Sequence, residues 1–151
     1  MNINFYLPDI NLVVPLIVPF KMAIAVLIGL VVGRERKKHQ KPGGARTFAI
    51  VCLGACLTSI LSLELVELYN FDFTRLMSYA IASIGFIGSG VIMKNHDKVE
   101  GLTTASTLWI MIPIGFFVGL GYYSMGILSS IFVYAILEGK KPKRRKKNVE
   151  N

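Results

Sequence analysis

From Leu102 to Leu137 the chain runs thirty-six residues without one charged side chain. As a single α-helix this segment would be about 54 Å long, against a bilayer hydrocarbon core of about 30 Å. It therefore has to fold back on itself inside an apolar medium. The bend is expected in GLGYYS, Gly119 to Ser124, where glycine is followed by Tyr122 and Tyr123, residues suited to a membrane interface. This predicts one span from Leu102 to about Leu120 and another from Ser124 to Leu137. Composition agrees: 53% of the residues are hydrophobic and 17% charged, where a soluble domain is about a quarter charged. A disordered chain is excluded, because it needs low hydrophobicity to stay unfolded.

Three further spans are expected upstream. The first apolar stretch begins near Leu12, and Pro15 and Pro19 fall in its first half. Proline suits a first turn and breaks an interior, so the helix is predicted to start near Pro19 or Phe20 and to reach Lys38. Lys21 then lies near the outer boundary, where a long side chain can snorkel. Pro42, Gly43 and Gly44 mark a turn. A second span runs from Thr47 to about Val66 and a third from Leu76 to Met93, followed by the short polar connection Lys94 to Gly101.

The basic residues decide the orientation. Fifteen of the seventeen lie in three groups: Arg34 to Arg46, Lys94 with Lys98, and the tail Lys140 to Lys147. Each group is flanked by apolar runs, which fits the retention of Lys and Arg on the cytoplasmic side and does not fit a nucleic-acid surface. Five spans put all three groups on one side, and four would strand the tail. The expected fold is an all-α, polytopic membrane bundle of five transmembrane helices, N-terminus out and C-terminus in. Its parts are an extracytoplasmic or interfacial segment 1–19, a membrane domain 20–138 and a basic cytoplasmic tail 139–151. The first twenty residues have no positive n-region and no small-residue cleavage site, so no cleavable signal peptide is expected.

Several patterns carry chemistry. Gly29 with Gly33 and Gly115 with Gly119 form GxxxG, and Gly85, Gly88 and Gly90 crowd the third span. Small residues let helix backbones approach closely in lipid, so these glycines are expected at helix contacts, with oligomer contacts or a backbone-lined passage as the alternative. Glu35 sits among cations at the inner end of the first span, and a carboxylate at that depth needs a partner, for instance Arg46. Thr103, Thr104 and Thr107 open the fourth span with Ser106 among them. Their hydroxyls either bond back to their own helix or line a polar surface. One depth holds Glu35, Arg36, Arg46, Thr47, Thr103, Thr104 and Thr107, and they are predicted to converge in one cytoplasmic polar pocket. Asp72 and Arg75 are expected to cap the third span. Cys52 and Cys56 are four residues apart, too few for a disulfide framework or a zinc site, and are expected to be small buried hydrophobes. His39 and His96 lack metal-ligand spacing. No P-loop or nucleophile elbow occurs, so neither an enzyme nor a cofactor or metal site is expected.

Five stretches in order, GLVVGRER (Gly29 to Arg36), PGGART (Pro42 to Thr47), DFTR (Asp72 to Arg75), IGFIGSGVI (Ile84 to Ile92) and GLTTASTLW (Gly101 to Trp109), resemble the bacterial MgtC/SapB family. The resemblance covers Lys21 to Leu137. Departures are Phe48 where the family often has His, Tyr79 where it often has Gln, and Arg34 in place of an apolar residue. The namesake also carries a cytoplasmic ACT-like domain after its membrane part. The resemblance implies a multi-pass protein of the bacterial inner membrane, linked to magnesium homeostasis and growth in low magnesium. It implies a regulatory role through another membrane protein such as an ATP synthase. A small oligomeric transporter or channel for magnesium or another ion is the alternative. The expected partners are the lipid bilayer, that membrane protein and a second copy of the chain, with no nucleic acid.

Overall fold

A computed structural model describes residues 14–69, 72–95 and 98–139. Five helices follow one another: α1 Val14–Lys38, α2 Ala45–Tyr69, α3 Phe73–Gly90, α4 Leu102–Gly119 and α5 Tyr123–Glu138. Between α3 and α4 lies a small antiparallel hairpin, β1 Met93–Asn95 and β2 Lys98–Glu100, with Lys94 opposite Val99. The sequence pattern had suggested only a polar connection there. Strands of three residues are too short to show an alternation of polar and apolar positions.

Two turns are built as their residues dictate. At the end of α1 the Gln40 amide donates to Lys37 O at 3.1 Å and the Lys41 amide to Arg36 O at 3.0 Å, with Gln40 in the left-handed region at φ 52°. The α4–α5 bend repeats the pattern: Gly121 N–H reaches Val118 O at 3.1 Å and Tyr122 N–H reaches Phe117 O at 2.8 Å, with Gly121 at φ 89°. Both are Schellman closures, which satisfy carbonyls left open at a helix end. The expected bend at Gly119 to Ser124 is thus where the chain reverses.

One expectation is corrected at the start of α1. The helix begins at Val14 and runs through Pro19 instead of starting beside it. Proline removes one amide donor from the ladder, but a helix in a bundle keeps its remaining bonds and its packing, so the pattern does not end there.

Helices consecutive in the chain alternate in direction. Gly29 abuts Ala49 and Gly33 abuts Ala45, so α1 and α2 are antiparallel. Gly115 meets Cys52 and Gly119 meets Cys56, so α2 and α4 run parallel. Gly88 faces Ala105 across α3 and α4. An ion pair at 3.2 Å between Lys38 Nζ and Glu138 Oε1 joins the last residues of α1 and α5. At the opposite end Lys21 Nζ donates to Gly119 O at 2.8 Å, capping the C-terminus of α4 with a cation.

The core lies where α2 sits between α1 and α4. Ala25, Ile28, Val32, Phe48, Leu108, Met111, Ile114 and Val118 are buried there, together with both cysteines, which are free. Cys52 and Cys56 behave as the expected buried hydrophobes. The exterior is equally apolar: Leu16, Phe20, Leu27, Ile50, Phe86, Trp109, Phe132 and Ile136 are exposed. In water this would be an aggregation surface, whereas in lipid it is the face a bundle must present. Among the described residues three helices are long and apolar enough to cross a bilayer: Leu16–Lys38, Ala45–Val66 and Leu102–Gly119. They supply every buried core residue except Ile84, which comes from α3. α5 has sixteen residues, about 24 Å of rise, and α3 includes Arg75.

Candidate functional site

The helix ends that carry Lys38 and Glu138, the 39–44 turn, the hairpin and the start of α4 all meet at one end of the bundle. Two adjoining clefts open there. The larger, about 600 Å³, is lined by Arg36, Gln40, Lys41 and Pro42, by β2, by Gly101 to Thr104 and by Ile136 and Leu137. The smaller, about 370 Å³, is lined by Glu35, Arg36, His39, Lys41 and residues 137–139.

At their junction lies a buried ion pair. Glu35 is 2% exposed and Arg36 5%, and Arg36 Nε donates to Glu35 Oε2. The other carboxylate oxygen, Oε1, is buried without a hydrogen-bond partner, and His39 Nε2 stands 3.4 Å from it. A buried charge needs both a counter-ion and hydrogen bonds. Glu35 has the first and half of the second.

The seven residues expected in one pocket are partly brought together. Arg36, Thr103 and Thr104 line the larger cleft and Glu35 the smaller, whereas Arg46, Thr47 and Thr107 line neither. Arg46 is exposed and does not pair with Glu35; the partner is Arg36, the next residue in the chain. Sequence logic looked across the turn for a cation, but a flexible arginine reaches back to its neighbour once both are buried. Thr107 Oγ1 donates to Thr103 O at 2.6 Å and Ser106 Oγ to Leu102 O at 2.9 Å, so those hydroxyls bond back to their own helix. Thr104 is 1% exposed and packs its methyl against the Gly43 turn. The polar residues that pattern-reading missed are Gln40, Lys41, Lys98 and Glu100. Only the clustering of basic residues on one side pointed toward this end of the bundle.

The glycines divide in the same way. A Cβ on Gly29 would stand 2.5 Å from Ala49 Cα, on Gly33 2.6 Å from Ala45 Cα, and on Gly115 or Gly119 2.5 Å from a carbonyl oxygen of α2. These four are the close approaches expected of them. Gly88 is buried, and a Cβ there would stand 3.7 Å from Ala105 Cβ, an ordinary contact. The expectation that Gly85 and Gly90 also sit against another helix is corrected: both are exposed with open space beside them. α3 flanks the bundle, burying Ile84 and Gly88, and its other faces point outward.

At the far end Asp72 caps α3 as expected. Its Oδ1 accepts from the Thr74 hydroxyl at 2.7 Å and the Thr74 amide at 3.0 Å. Those two donors hold its carboxyl below the ordinary carboxylate range. Arg75 lies in the first turn of the helix so capped.

The sequence profile of the MgtC family matches residues 22–146. SapB of Bacillus subtilis (strain 168) is 34% identical over 148 residues, covering 91% of this chain and 60% of SapB. The Escherichia coli (strain K12) protein named "Putative magnesium transporter YhiD" is 31% identical over 127 residues, 78% of this chain and 58% of YhiD. MgtC of Salmonella typhimurium (strain LT2) is 35% identical over 109 residues, 72% of this chain and 46% of MgtC. The matched region thus spans about half of these relatives' own length. No solved structure matches the chain. The matched residues run from α1 through α5 and take in both clefts and all four close-contact glycines: this helical membrane protein belongs to the MgtC family.

Proposed function

We propose that this protein spans the bacterial inner membrane five times, N-terminus outside, and regulates another membrane protein in magnesium homeostasis without catalysis or ion transport of its own. The observation that carries this reading is where buried charge lies. The middle of the bundle is filled by apolar side chains and drawn to backbone contact by Gly29, Gly33, Gly115 and Gly119. The buried ion pair sits instead at the end that opens into the clefts. A path for a hydrated divalent cation calls for oxygen ligands along its length. The Glu35 carboxylate is at one end and already engaged by Arg36. The name of YhiD supports the link to magnesium. The polar clefts and the exposed apolar face of α3 are the surfaces offered to a partner such as an ATP synthase, or to a second copy.

Orientation follows from charge: the end formed by the 39–44 turn, the hairpin and the close of α5 carries the basic groups and belongs in the cytoplasm. A reporter fused after Asn151 should be active only when it is a cytoplasmic one, and periplasmic activity would overturn the five-span topology.

A second reading, an oligomeric transporter, is favoured by the name of YhiD and by the open glycine positions 85 and 90 on α3, around which copies could close a passage. Purification from native membrane followed by reconstitution separates the two. We expect a membrane protein to co-purify in defined ratio and proteoliposomes to show no magnesium flux above protein-free vesicles. Flux that scales with the protein content would overturn the regulatory reading.

A further inference from the structure

The geometry points to a binding site for a phosphate ester in the larger cleft, where the unsealed N-terminus of α4 meets Arg36, Lys41 and Lys98. α4 is eighteen residues long, and its N-cap is Gly101, at φ 90°, which offers no side chain to the first amides. The first bond back to the cap is from Ala105 N–H to Gly101 O at 2.9 Å, so the amides of residues 102–104 are left as donors at the positive end of the helix. Those residues line the cleft. This is the arrangement that binds phosphate oxygens at helix N-termini.

The second observation is independent of the helix. Arg36 is 5% exposed, it lines both clefts, and among the described residues its side chain donates from Nε to Glu35. A guanidinium has five N–H donors, so its terminal nitrogens are left for the cleft. Buried arginine with a planar fork is suited to phosphate. Glu35 offsets the charge of Arg36, and Lys41 and Lys98, both exposed, add two positive charges from the turn and from β2 against the Glu100 carboxylate in the same lining.

Glu35 lines the smaller cleft, and its carboxylate is buried against Arg36 and His39, so the ligand is read from the larger cleft alone. The ligand class is a phosphate ester. Ile136 and Leu137 on the cleft wall suit the acyl part of a phospholipid whose phosphate enters the cleft, and a soluble phosphoalcohol presents the same phosphate.

The test uses the full chain in maltoside micelles, which hold no phosphate. Binding is measured by calorimetry with sn-glycerol 3-phosphate and, separately, with a short-chain phosphatidylglycerol. Saturable binding of either supports the site; the soluble probe alone marks a soluble ligand, and the lipid alone marks a headgroup. Arg36→Ala removes the partner of a buried carboxylate and can fail to fold, so the exposed pair Lys41→Ala with Lys98→Ala is the variant of choice. It should weaken binding by about tenfold, and Glu100→Gln should tighten it by about threefold. Arg144→Ala with Arg145→Ala, in the tail, should leave it unchanged. No binding of either probe, or binding lost with the tail variant and kept in the cleft variant, would overturn the site. Binding in micelles needs no partner and no topology, so failure here leaves the flux and co-purification results standing.

Discussion

Gly29→Ala is expected to prevent the protein from accumulating in the membrane, or to lower its thermal stability severely. The added methyl would stand 2.5 Å from Ala49 Cα, 2.7 Å from Ala49 N and 2.7 Å from Phe48 O. All three are backbone atoms, so no rotamer can move aside and α1 must back away from α2. Overpacking a core costs about 1–3 kcal/mol and occasionally more, and a backbone clash falls at the upper end. Gly115→Ala should behave alike, because its methyl would meet Cys52 O at 2.5 Å and Ala55 Cβ at 2.6 Å. The control is Gly85→Ala. That position has open space and a helical backbone, so alanine should be neutral or stabilise the helix by about 0.5–1 kcal/mol. Unfolding of the three variants in one detergent checks the contrast. Equal stability of Gly29→Ala and Gly85→Ala would mean that α1 and α2 are not held at backbone contact.

Glu35→Ala is the second large effect. It leaves Arg36 buried with no counter-ion, and breaking a buried pair from one side costs about 3–5 kcal/mol. The partner can be identified by double-mutant cycles. Glu35 and Arg36 should couple strongly, so that Glu35→Ala with Arg36→Ala is less damaging than the sum of the single variants. Glu35 and Arg46 should be additive within about 0.3–0.5 kcal/mol, because Arg46 is exposed and unconnected to the pair. Coupling to Arg46 in place of Arg36 would refute the observed pairing.

Much of this architecture was legible from residue order. A charge-free run longer than a bilayer forces a reversal, and the glycine that makes the reversal can be picked out because few other residues tolerate its backbone angle. Clustered lysines and arginines fixed which loops share a side. Gly29, Gly33, Gly115 and Gly119 were readable as contacts from their four-residue spacing alone. These features depend on local backbone chemistry and on the solvent, and both act on a sequence directly.

What residue order could not decide were the pairings that depend on how helices are rotated about their own axes. Gly85 and Gly90 look like Gly88 in sequence, yet only Gly88 faces α4, because α3 meets the bundle along one narrow line. Glu35 had several cations within reach, and burial beside Arg36 selected one. Thr103 and Thr104 reached the cleft while Thr107 turned its hydroxyl back to its own helix. Lys98 and Glu100 entered the site only because a hairpin too short to announce itself folds over the start of α4. Hydropathy and charge act one residue at a time and so determine which segments are apolar enough for a membrane and which ends carry charge. Side-chain partners depend on helix rotation, which is set by the close packing of the whole bundle.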